Sequence, residues 1–133
     1  MSKSAILCVD DEPMVLTSLK EQIYNRLGNK FLYEFAESAD EAEEVIEELA
    51  ADGVHILVIV SDWLMPGVKG DEFLIRVHQR FPQIVKVMLT GQADEEAIRR
   101  VRENANLFRC IRKPWTEEEL IETILSGLEP HNE

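Results

Sequence analysis

Five polar residues each stand just past a short apolar run. Asp10 and Asp11 follow Ala-Ile-Leu-Cys-Val, Asp62 follows Ile-Leu-Val-Ile-Val-Ser, Thr90 follows Val-Lys-Val-Met-Leu, and Lys113 follows Leu-Phe-Arg-Cys-Ile-Arg. Three carboxylates, a hydroxyl and an amine form a chemical set once a fold gathers them. Two carboxylates about 4 Å apart repel by roughly 4 kcal/mol at an effective dielectric of about 20, so such a cluster calls for a cation. Oxygen ligands and retained waters suit a hard divalent ion, which points to Mg²⁺. His55, His78 and His131 are scattered and no Cys-x-x-Cys pair exists, so a histidine or thiolate metal has no ligand set. An acid cluster with Mg²⁺, a lysine and a hydroxyl is equipped to handle a phosphoryl group, and a carboxylate can itself be the nucleophile, becoming an aspartyl-phosphate. Two other phosphate-handling routes are empty: the chain has neither Gly-x-x-x-x-Gly-Lys-[Ser/Thr] nor Gly-x-Gly-x-x-Gly. It also offers no obvious second general base to hydrolyse an intermediate quickly.

The elements that must position these residues alternate along the chain. Residues 5–9 predict a first strand, and Leu16, Leu19, Ile23 and Leu27 a helix from Pro13, stopped at Gly28. Residues 31–36 predict a second strand. Ser38-Ala39-Asp40-Glu41 is a capping box opening a helix that buries Ala42, Val45, Ile46 and Leu49 and ends at Gly53. Residues 54–61 are nearly unbroken apolar sequence, as in a central strand covered on both faces. After Pro66-Gly67, a third helix carries Phe73, Leu74, Val77 and Phe81. Residues 84–89 form a fourth strand, and Ala97, Ile98, Val101 and Ala105 mark a fourth helix. Residues 107–112 predict a fifth strand. Thr116-Glu117-Glu118-Glu119 caps a last helix with Leu120, Ile121, Ile124, Leu125 and Leu128 inward. Five strand-helix units with short, right-handed connections predict an α/β, three-layer, doubly wound parallel sheet. With the first and third strands adjacent, Asp10, Asp11 and Asp62 converge at the carboxyl edge, where such sheets place their chemistry.

The chain has 133 residues, the size of one domain able to bury a core, with 45% hydrophobic and 30% charged residues. No run approaches the roughly 20 apolar residues of a membrane span, and Met1-Ser2-Lys3-Ser4 shows no signal-peptide pattern. Cys8 and Cys110 read as separate buried thiols, consistent with a cytoplasmic protein. A net charge of −12 opposes direct nucleic-acid binding, which needs a basic footprint. That charge is uneven, however. Residues 37–52 hold only acids among their charged side chains, while Arg99, Arg100, Arg102, Arg109 and Arg112 gather late in the chain. These are either solvated faces or a docking face for an acidic partner.

Four motifs together resemble the receiver domain of two-component response regulators, the CheY-like family, over about residues 4–128. They are Val9-Asp10-Asp11-Glu12-Pro13, Ser61-Asp62-Trp63-Leu64-Met65-Pro66-Gly67 with Gly70, Leu89-Thr90-Gly91, and Lys113-Pro114-Trp115. The resemblance implies a flavodoxin-like strand order of 2-1-3-4-5 with five helices. It implies Asp62 as phosphoryl acceptor from the phosphohistidine of a sensor histidine kinase or phosphotransfer protein. Asp11 and Asp62 would bind Mg²⁺ directly, Asp10 mostly through water, with the Leu64 backbone carbonyl as a further ligand. Lys113 would pair with the phosphoryl oxygens and Thr90 would hydrogen-bond one of them. That last bond would repack the face of the fourth helix, fifth strand and fifth helix toward an output domain or effector, or toward a second copy of the chain through the arginines between residues 99 and 112.

Three positions depart from or refine the family pattern. Three residues before Lys113, where many receivers carry Tyr or Phe, stands Cys110, which cannot fill and vacate an aromatic-sized hole. Phe108, on the same side by strand alternation, is core or a shifted aromatic. Leu64 and Gln92 occupy positions where the family tunes phosphoryl lifetime. Apolar Leu64 positions no attacking water, which predicts a phospho-form that is not especially short-lived. Trp63 and Trp115 read as structural or rim residues.

Two other function classes stand beside this one. A Mg²⁺-dependent small-molecule phosphohydrolase or phosphotransferase of the haloacid-dehalogenase kind would want Asp-x-Asp after the first strand, where this chain has Asp10-Asp11-Glu12. A pseudo-receiver interaction module would need no intact acid set, Thr90 or Lys113. The expected organisation is a receiver over residues 1–128 with a loose tail over 129–133, standing alone or excised from a longer regulator. It is a phosphoacceptor that promotes its own phosphorylation and dephosphorylation, not a turnover enzyme.

Overall fold

The computed structural model describes residues 3–91 and 95–129. Its strands are β1 (Ser4–Val9), β2 (Leu32–Ala36), β3 (His55–Asp62), β4 (Val85–Thr90) and β5 (Arg109–Arg112). They alternate with helices α1 (Pro13–Leu27), α2 (Ala39–Ala51), α3 (Gly70–Arg80), α4 (Glu95–Ala105) and α5 (Glu117–Leu128). All neighbouring strands pair in parallel in the order β2-β1-β3-β4-β5. That order puts the β1 and β3 ends side by side in the sheet's centre, with Val9 opposite Ser61 and Asp62 opposite Leu89.

Strand alternation divides the interior into two layers. Leu7, Val9, Ile59 and Met88 face a layer closed by Ala42 and Ile46 of α2, Phe73, Leu74 and Val77 of α3, and Ile98 and Val101 of α4. Ile6, Cys8, Val58, Val60, Val87, Leu89 and Ile111 face the other, closed by Leu16, Leu19 and Ile23 of α1 and Leu120, Ile121 and Ile124 of α5. The unbroken apolar run of β3 thus reflects burial on both sides.

The local start signals act nearly as expected. The Ser38 side chain accepts the Glu41 N–H at 3.1 Å, while Glu41 reaches back one residue further than a capping box requires, accepting the Glu37 N–H at 2.7 Å. Thr116 accepts the Glu119 N–H at 3.1 Å. Leu125 does not point inward: it is 45% exposed, because the apolar stripe of α5 is already complete with Leu120, Ile121 and Ile124. Gly127 lets α5 come close to the sheet, since a Cβ there would lie 2.9 Å from Val85 Cγ1.

Phe108 also departs from expectation. It precedes β5 and so escapes the strand's alternation, packing with the α1/α5 layer while Cys110 packs with the α2/α3/α4 layer. Cys8 and Cys110 are free thiols on opposite faces. Of the expected tail, residues 130–133 lie outside the described residues.

Candidate functional site

The chain leaves β1 at Asp10, whose carboxylate is fully buried. A buried charge must be satisfied by hydrogen bonds and a counter-ion, and this one is. Its Oδ1 accepts the Glu12 N–H at 2.8 Å and its Oδ2 accepts from Lys113 Nζ at 3.0 Å. Asp62 closes β3, is 5% exposed, and lies with Oδ1 3.1 Å from the same ammonium. Asp11, half-buried, completes the cluster: one carboxylate oxygen from each of Asp10, Asp11 and Asp62 lies within 4.8 Å of the others. Thr90 ends β4 and is buried, and its carbonyl accepts the Lys113 N–H at 2.8 Å. The structure therefore brings Asp10, Asp11, Asp62, Thr90 and Lys113 to one sheet edge.

The electrostatics follow from this crowding. Burial, then the neighbouring Asp10 charge, push the Asp62 carboxyl above the usual carboxylate range, against the opposing pull of Lys113. For Lys113, burial works against the charge, but hydrogen bonds to Asp10 and Asp62 outweigh it and its pKa rises. One ammonium among three carboxylates leaves the site short of positive charge. All-oxygen donors within reach of a single point, with a carboxyl resisting ionisation beside them, fit a hard cation.

The segment after Asp62 is pinned on both sides. The Trp63 N–H donates to Leu89 O at 2.9 Å, and the Gly70 N–H donates to Trp63 O at 2.8 Å. Gly70 is required there, since a Cβ would lie 2.1 Å from the Asp62 carbonyl oxygen. Leu64, by contrast, is 55% exposed beside the acids. Trp63 is partly buried, with the Lys69 ammonium 5.7 Å from its ring centroid. Trp115 donates to Gln22 Oε1 of α1 at 2.8 Å, tethering the turn after Lys113. Both tryptophans thus have structural positions. Gln92 lies outside the described residues.

The late arginines do not form one free basic face. Arg100 binds Asp71 and Glu72 of α3 at 2.7 and 3.3 Å, and Arg109 binds Glu122 of α5 at 2.6 Å. Among the described residues, Arg99 and Arg112 pair at longer, exposed contacts, with Glu96 at 3.8 Å and Glu95 at 4.0 Å. Burial raises the Cys110 thiol pKa, against the lowering effect of Arg102 and Arg112. Sequence reasoning missed the Asp71–Arg100 pair, separated by 29 residues with no local signal. It also missed Lys86, almost fully buried on β4. Strand alternation with Met88 was the available clue for the lysine.

Comparison with known proteins agrees with this geometry. The response regulator receiver domain profile matches residues 6–125. The hydrogenase transcriptional regulatory protein HoxA of Cupriavidus necator is 32% identical over 127 residues, covering 96% of this chain and 24% of HoxA. The sensor kinase CckA of Brucella abortus is 28% identical, with 95% of this chain matching 13% of the kinase. The chain thus spans about a quarter or less of these two relatives. Among solved structures, a CheY-like receiver domain protein from Methanospirillum hungatei superposes with a TM-score of 0.83 at 28% identity, covering 96% of this chain and 94% of that one. The receiver domain of an HD domain-containing protein from Pseudomonas fluorescens gives 0.82 at 25% identity, covering 95% and 94%. Profile, relatives and strand order converge: the chain belongs to the response regulator receiver domain family.

Proposed function

We propose that this receiver is a phosphorylation switch in which Asp62 takes a phosphoryl group from the phosphohistidine of a sensor histidine kinase or phosphotransfer protein. The observation that carries this reading is the single ammonium of Lys113 held between Asp10 and Asp62, 3.0 and 3.1 Å away, with Asp11 alongside. An Asp62 oxygen attacks phosphorus, the P–N bond breaks, and the imidazole leaves with its electron pair. Asp62 must be ionised to do this, and Lys113 opposes the burial and repulsion that favour its protonated form. Mg²⁺, held by Asp11, Asp62 and the Leu64 carbonyl with Asp10 acting through water, would supply the charge that lets carboxylate and phosphoryl oxygens approach. Lys113 then pairs with one phosphoryl oxygen and the Thr90 hydroxyl binds another.

Added negative charge at one point biases the segment after Thr90, and with it the α4-β5-α5 face that meets an output domain, an effector or a second copy. Met14, 83% exposed, and Leu64, 55% exposed, offer the donor protein apolar contacts around the acids. The chain accepts a group and releases it; it does not turn over a substrate. The receiver spans residues 1–128. Among the described residues no helix is long and apolar enough to cross a membrane. The test is intact mass after incubation with Mg²⁺ and acetyl phosphate. One phosphoryl adduct, lost in Asp62→Asn and with chelator, supports the reading; sustained release of phosphate from phosphomonoesters would favour the hydrolase instead.

A further inference from the structure

α3 begins directly on the backbone of the acceptor residue. No side chain fits at Gly70, because its Cβ would lie 2.1 Å from Asp62 O and 2.8 Å from Trp63 Cα. The next residue, Asp71, is 7% exposed, and its Oδ2 accepts from Arg100 Nη1 of α4 at 2.7 Å. The other Arg100 amino group reaches Glu72 Oε1 at 3.3 Å, so the guanidinium spans two consecutive carboxylates of the first turn of α3. A planar guanidinium holding two acceptors fixes direction as well as distance, which a lysine would not do. Glu72 in turn binds Arg76, and Arg76 reaches Glu43 of α2 at 3.4 Å. The Asp71 side chain is 10% exposed and that of Arg100 47%, so the carboxylate depends on this partner more than the guanidinium does.

α4 is therefore joined to the acid cluster by two routes. One is the chain itself, running from Thr90 to Glu95. The other passes from Arg100 through Asp71 and Gly70 to the main chain of Asp62. We infer that Arg100 is a positioning residue for the acceptor: its pair with Asp71 couples the placement of α4 to that of Asp62. Binding at Asp62 and the state of the pair are then reciprocally linked, with typical couplings of about 5- to 150-fold in affinity. The inference rests on the phosphoacceptor reading above and adds the residue through which that site is held.

The test compares wild type, Arg100→Gln, Arg100→Lys and the double variant Asp71→Asn/Arg100→Gln. Two readouts are taken: affinity for beryllofluoride with Mg²⁺, followed by tryptophan fluorescence, and the urea midpoint. Arg100→Gln leaves the Asp71 charge unpaired and should lower both. The double variant removes that charge and should recover the urea midpoint while its beryllofluoride affinity stays at least 5-fold below wild type. Arg100→Lys should recover affinity only in part. The inference is overturned if the double variant regains wild-type affinity along with its stability, or if Arg100→Gln binds within 2-fold of wild type. A wild type that binds no beryllofluoride would overturn the phosphoacceptor reading and this inference together; wild-type binding with indifferent variants would overturn the inference alone.

Discussion

Lys86 permits a stability prediction that is independent of phosphorylation. The residue is 1% exposed on β4, and its ammonium donates to Ile84 O at 2.7 Å and Pro82 O at 3.3 Å. Burial lowers its pKa from 10.5 to about 8. At 1.36 kcal/mol per pKa unit, holding Lys86 charged at neutral pH costs about 3 kcal/mol relative to the unfolded chain. Replacement by methionine removes that cost but leaves two carbonyls without their donor, at about 1 kcal/mol each. Lys86→Met should thus gain about 1 kcal/mol at pH 7. The pH dependence is more diagnostic. Between about 8 and 10.5 the unfolded chain binds more protons at this residue than the folded one, so wild-type stability from this source rises with pH. The variant has no such rise. Its advantage should fall by about 3 kcal/mol in all, reversing near about pH 9 and leaving the variant about 2 kcal/mol less stable than wild type above about pH 10.5, as read from urea unfolding of both proteins at each pH. His78, whose pKa is lowered by burial and then by Lys86, is neutral in both throughout that window. Parallel pH profiles for variant and wild type would refute the reasoning.

Other outcomes follow from the acid site. Gly70→Ala forces a Cβ against the Asp62 carbonyl oxygen and should cost the upper part of the roughly 1–3 kcal/mol range for overpacking, together with most phosphoryl acceptance; an unchanged thermal midpoint would show that α3 can retreat. Asp62→Asn in chelator should be more stable than wild type at pH 7, because burial and Asp10 disfavour the ionised carboxyl. The advantage should fade as acid protonates wild-type Asp62, and urea midpoints at the two pH values check the sign. Leu64 offers no polar group to position water, so the phospho-form should decay over minutes or longer, and a half-life of seconds by mass spectrometry would reject this.

The sheet was legible because four of its five strands end beside a residue whose polarity makes sense at an edge. Asp10, Asp62, Thr90 and Lys113 marked both the strand ends and the site, so fold and function came from the same residues. What escaped was longer-range or geometrical. The Arg100–Asp71 pair depends on how α4 lies across α3, which no local pattern encodes. Phe108 was misplaced because period-2 reasoning was carried one residue beyond the strand that obeys it. Leu125 was misplaced because its helical spacing suited the stripe, which Leu120, Ile121 and Ile124 already fill.

The most direct test of the central claim is to locate the phosphoryl group. Borohydride trapping after reaction with acetyl phosphate and Mg²⁺ converts an aspartyl-phosphate to homoserine, which peptide sequencing by mass spectrometry places. Homoserine at position 62 alone is the expected result. Trapping at Asp10 or Asp11, or a stable phosphate on a serine or threonine, would contradict the assignment of Asp62 as the acceptor.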